Sequence, residues 1–133
     1  LKNKLRKLIK PFHHRDRRYR TTYADMFLWF DILNNIIFDN RLEAFNQFYI
    51  KNMRDALGMF EFDDTGGKKP NTLYMVPVYK NFKQFVEVLA HEMVHLWQWQ
   101  TIEGSTVNHN TEFHSWKEKF KQNGLNLGLK VDE

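Results

Sequence analysis

The spacing of apolar and polar residues divides the chain into a few predicted elements. Between residues 22 and 38, Met26, Phe27, Phe30, Leu33, Ile36 and Ile37 recur at helical spacing. Thr22, followed three residues later by Asp25, is an N-cap signature, so a helix is predicted over 22–38. Asp39-Asn40-Arg41 then makes a polar turn. Three short runs, 45–51, 57–62 and 71–78, predict strands. Gly58 marks a bulge or a close backbone approach in the second. The third runs into Pro77, which belongs at a sheet edge or a strand exit, and an extended substrate is expected to add there. Asp63-Asp64-Thr65-Gly66-Gly67-Lys68-Lys69-Pro70 predicts the loop joining the second and third strands. Its Gly66-Gly67-Lys68 lacks P-loop spacing and reads as plain loop.

The next apolar run is denser. Phe82, Phe85, Val86, Leu89, Met93, Val94, Leu96 and Trp97 predict a long, mostly buried helix over 81–100. Asn81 with Gln84 resembles a capping box at its start, and Gly104 lies just beyond its end. A last helix is predicted over 111–123, with Phe113, Trp116 and Phe120 on its apolar face and Gly124 as its stop. The expected fold is α+β: a three- or four-stranded sheet packed on helices, with helix 81–100 central.

At 133 residues the chain suffices for a single domain with a real core. It holds no cysteine. Disulfides, thiol catalysis and a cysteine-type zinc ribbon are excluded, and a reducing cytosol fits. No apolar run approaches the length of a membrane span. The first residue is Leu1, as expected of a processed product, a fragment or a chain whose true start is not included, and the basic start lacks the apolar centre of a secretory signal. The expected location is cytoplasmic or nucleic-acid-associated.

Charge is uneven. Residues 1–20 carry nine Lys/Arg against Asp16, and the rest of the chain is mildly acidic. This predicts a basic arm over 1–20 attached to a domain over 21–133. Leu1, Leu5, Leu8 and Ile9 allow an amphipathic helix that Pro11 would end. Lys4, Arg6, Lys7, Lys10, Arg15, Arg17, Arg18 and Arg20 are candidates for contact with DNA or another acidic partner. The other reading is a solvated basic segment whose leucines dock on the domain or a neighbour. His13 and His14 read as solvated.

The chemistry concentrates in His91-Glu92-Met93-Val94-His95. Histidines four apart share one face of a helix and can hold one Zn²⁺ from the same side. The glutamate beside the first histidine is placed to act as general base on water at the metal. A buried helix that carries His, Glu and His needs a reason to bury them, and a metal supplies one. A catalytic zinc needs a third ligand. Candidates are Glu103, His109, Glu112, His114 and Glu118. Gln98 and Thr101 stand where a metzincin needs Gly and His, which excludes that class. His109, at a loop-to-helix junction, is favoured, and His114 is the alternative.

These residues resemble the SprT-like zinc metallopeptidase domain of bacterial SprT proteins and the Spartan proteases, over about residues 22–125. The resemblance rests on Asn35-Ile36-Ile37-Phe38-Asp39-Asn40-Arg41-Leu42, on strand material with Gly58, on Leu89-Ala90-His91-Glu92-Met93-Val94-His95, and on His109-Asn110-Thr111-Glu112-Phe113. It implies a zincin-like fold, a Zn²⁺ cofactor held by His91, His95 and His109, Glu92 as catalytic base, and a protein substrate. The family often has glycine after the third histidine. Here it is Asn110, the residue next most tolerant of a left-handed backbone. The C-terminal zinc ribbon of many members is absent from this sequence. The competing expectation is a non-catalytic zinc-binding module that docks in a larger assembly through its basic arm.

Overall fold

The structure is a computed structural model that describes residues 4–63, 70–101 and 107–127. The loop 64–69, Glu103 and Gly104 lie outside the described residues. The first helix, α1 (Lys4–Ile9), ends before Pro11. It buries Leu5 and Ile9 in the main core, while Leu8 stays exposed. A two-residue strand, β1 (Tyr19–Arg20), follows.

Helix α2 (Tyr23–Ile36) starts where Thr22 Oγ1 accepts from the Asp25 N–H at 3.1 Å. Met26, Phe30, Leu33 and Ile37 face the core, together with Trp29. Phe27 does not join that stripe. It is 51% exposed and packs edge-on against Phe48, because one residue of helix turns it about 100° away from Met26. The chain reverses through Asp39 and Asn40 at φ 55° and 59°. Asn34 holds the reversal. Its Nδ2 donates to the Leu42 carbonyl at 2.9 Å, and its Oδ1 accepts from the Leu42 N–H at 3.1 Å. Asn34 is buried and the neighbouring Asn35 is exposed, so the anchor stands one residue before the expected motif.

The three predicted strands form β2 (Gln47–Ile50), β3 (Gly58–Glu61) and β4 (Thr72–Met75). Their order is β2-β4-β3, with β2 parallel and β3 antiparallel to β4. The third strand is therefore central, with a neighbour on each side, and the expectation that it is an edge open to substrate fails. Leu73 and Met75 are fully buried, as a middle strand requires. The predicted run 71–78 also breaks in two. Pro77 has no N–H for a ladder, and β5 (Val78–Tyr79) leaves to pair with β1 in a separate antiparallel two-stranded sheet. Thr21 fastens this corner: its N–H donates to the Pro77 carbonyl and its hydroxyl to the Val76 carbonyl, both at 2.8 Å.

Helix α3 (Phe82–Thr101) runs through the middle of the molecule. Asn81 Oδ1 accepts from the Gln84 N–H at 2.8 Å, while Gln84 Oε1 accepts from Lys80 rather than from Asn81. From Phe85 to Leu96 the helix is buried all round, as expected of a helix wrapped on every side. The predicted last helix is two pieces, α4 (Thr111–His114) and α5 (Lys117–Gln122). Between them Trp116 inserts its ring against Phe38 and Trp97, with centroids 4.6 and 5.2 Å away. Gly124, at φ +78°, ends α5. Its N–H bonds the Lys121 carbonyl and the Leu125 N–H bonds that of Phe120, a Schellman stop with both apolar residues buried. The fold is α+β, small sheets packed on helices. No helix among the described residues is long and apolar enough to cross a membrane.

Candidate metal centre

Helical spacing puts His91 and His95 on one face of α3, with ring centroids 5.2 Å apart. Both are buried, and Glu92 beside them is 0% exposed. The loop entering α4 brings His109 to the same place. Its ring centroid lies 5.1 Å from that of His91 and 5.0 Å from that of His95. The Nε2 atoms of His91 and His109 are 3.2 Å apart. One nitrogen from each of the three residues falls within 4.8 Å of the others, so the group can hold a metal ion.

Phe113 forms the floor. Its ring is 4.9, 4.8 and 4.7 Å from the His91, His95 and His109 rings, and it is 1% exposed. An apolar ring touching all three imidazoles limits how each can turn and keeps water from that side. His114, by contrast, is exposed and meets the Phe113 ring edge-on. It is not in the group, and Glu112 and Glu118 are also exposed.

Glu92, His95 and His109 share a cavity of about 230 Å³ with Ala56, Met59, Phe60 and Phe62. A larger cleft, about 500 Å³, opens between residues 52–57 and 76–78 and meets the first at Ala56. Gly58 is the close approach that its place in a strand suggests. A Cβ there would stand 2.7 Å from Val88 Cγ1 and 3.2 Å from Glu92 Oε2. Gly58 pairs in regular register with Met75, so there is no bulge. The strand backbone thus lies directly on the Glu92 side chain. Nearby, Tyr79 Oη donates to the Leu57 carbonyl at 2.5 Å and accepts from the Val76 N–H. Burial raises its pKa well above the usual phenol range, and the Glu92 carboxylate adds to the effect.

Asn110 departs from its expected conformation. At φ −86° it is extended, not left-handed, and its side chain caps α4 by accepting from the Phe113 N–H at 3.0 Å. One residue of the site belongs to none of the motifs. Gln98, 0% exposed, lies one turn beyond His95 and contacts both His95 and the His109 loop. Its only signal in the sequence is a long polar side chain on an otherwise buried helix.

Among the described residues, the eight cations of the N-terminal segment are all exposed and none belongs to the three-histidine group. Arg6 and Lys10 line a separate pocket with His13 and Lys83. His13 is half-buried, and its Nδ1 accepts from the Lys83 N–H.

These features define an α+β domain whose central helix and following loop place three histidines within reach of one metal ion. A family model described as the SprT-like family matches residues 27–133, and the chain belongs to that family. No curated protein matches the chain.

Proposed function

We propose that the domain is a zinc-dependent metallopeptidase of zincin-like architecture that cleaves protein substrates. The observation that carries this is the convergence of His91, His95 and His109 beside the buried carboxylate of Glu92, on the wall of an open cavity. Three imidazoles are a catalytic zinc donor set. Two nitrogens on a tetrahedral zinc, each at about 2.0–2.1 Å, stand about 3.3 Å apart, and the His91–His109 separation of 3.2 Å fits. Bound there, zinc would supply Lewis acidity toward a peptide carbonyl and lower the pKa of water toward about 7.

The chain's own residues do the rest. Glu92 takes the proton from the attacking water and hands it to the leaving amine. Strand β3, last in its sheet among the described residues, has Met59 and Phe60 on the cavity wall. An extended peptide adds along β3, which presents backbone donors and acceptors beside Glu92. This replaces the third strand as the docking edge.

The test is Glu92→Gln. The variant keeps the wild-type zinc content and loses cleavage of an unfolded protein such as casein by about 10²-fold or more. Undiminished cleavage removes Glu92 as the base. Full zinc content in the wild-type protein with no cleavage under any condition makes the metal a structural staple of a non-catalytic module.

A further inference from the structure

We propose that Gln98 is the positioning residue of the candidate metal centre, setting the tautomer of His95 and holding His109 in place. The proposal rests on the metal-site reading above. Gln98 is fully buried, one turn beyond His95 on α3. Its Nε2 points at two oxygens, the Asn108 carbonyl at 3.0 Å and Asn110 Oδ1 at 2.9 Å. Oxygens accept, so the amide nitrogen faces them, and this orientation assigns Oε1 to His95. His95 Nδ1 lies 2.8 Å from that oxygen and must therefore carry the proton. In the neutral imidazole Nε2 is then the unprotonated nitrogen, and it keeps its lone pair for a metal.

The same amide fixes the other half of the site. Asn108 and Asn110 flank His109, so the two bonds from Nε2 pin the loop on either side of the third ligand. Asn110 Oδ1 also accepts from the Phe113 N–H, which ties the loop to the residue that floors all three rings. A glycine at 110 would offer no such oxygen. The helix ligand and the loop ligand are thus set by one buried side chain.

Two variants separate the two roles. Gln98→Met fills similar volume and makes neither contact. Gln98→Glu can still accept from His95 Nδ1 but cannot donate to Asn108 and Asn110. The first readout is the His95 tautomer in zinc-free protein, from ¹H–¹⁵N correlation of the imidazole nitrogens. Wild type and Gln98→Glu should show Nδ1–H, and Gln98→Met should shift toward Nε2–H. The second is zinc affinity by chelator competition. Loss of an outer contact of this kind weakens affinity about 10–100-fold. Both variants should fall in that range, Gln98→Glu through the loop alone.

A Gln98→Met protein with unchanged tautomer and affinity within twofold of wild type would overturn the proposal. If Gln98→Met does not fold, Gln98→Glu decides: Nδ1–H retained with weakened zinc supports it, and wild-type affinity rejects it. If wild type itself takes up no zinc, the metal reading fails, while the zinc-free tautomer comparison still tests the clamp on its own terms.

Discussion

Glu87 illustrates how a single buried carboxyl on α3 shapes the pH response. It is 8% exposed, and its carboxylate accepts from the Asn126 N–H at 2.8 Å. Burial raises its pKa above the ordinary 4.5, against the opposing pull of that bond and of Lys83 and Lys80. The folded protein therefore holds the proton more tightly than the unfolded chain. The resulting stability is fully present below pH 4.5 and is lost as pH rises through the elevated folded value. Gln at this position keeps an acceptor for Asn126 without the buried charge. Glu87→Gln should be more stable than wild type at neutral pH, with the difference closing below pH 4.5. Urea unfolding at pH 7 and pH 4 measures it, and a constant difference at both would contradict the assignment.

At the scale of elements, α3 is fastened at its C-terminal end by amides. Gln98 grips the loop before α4. Gln100 grips the chain after α2, donating to the Glu43 carbonyl at 2.8 Å and accepting from the Glu43 N–H at 3.1 Å. Along its middle, α3 meets β3 through Gly58. Any side chain there must displace Val88 or Glu92. Gly58→Ala should cost about 1–3 kcal/mol of stability, the usual penalty of overpacking. Because Glu92 is one of the displaced groups, cleavage should fall further than the loss of folded protein explains. Thermal melts beside casein assays on the folded fraction check this, and a variant with wild-type stability and rate would refute the close packing.

The whole molecule is built around one apolar cluster to which every helix contributes. Leu5 of α1 belongs to it, fully buried, alongside residues of α2, α3 and α5. The basic N-terminal segment is thus attached at Leu5, Ile9 and the β1–β5 pairing, while its described cations face water. Leu5→Ala should cost about 2–5 kcal/mol, as at other buried leucines, a large share of a domain's typical 5–15 kcal/mol. Leu8→Ala, on the exposed side of the same helix, should cost under about 0.5 kcal/mol. Equal midpoints in urea for Leu5→Ala and wild type would mean α1 is not part of the core.

Signals that act over one or two turns of chain are legible in the sequence alone. Thr22 caps α2, Asn81 caps α3, Gly124 stops α5, and His91 and His95 share a face, because each depends only on helical spacing and local hydrogen bonds. Gly58 is legible as a close approach because glycine inside a strand is otherwise costly. The pairings between segments are not legible in this way. That β4 lies between β2 and β3 is decided by strand pairing between distant segments, which no local rule contains. The break at Trp116 follows from the pocket between Phe38 and Trp97. Asn34 and Gln98 look like ordinary helix residues until their partners, 8 to 12 residues on, are folded against them. The histidine pair and its glutamate are thus written into five consecutive residues. The joining of His109 to them, and the buried amide that holds it there, depend on contacts that exist only once the loop is packed.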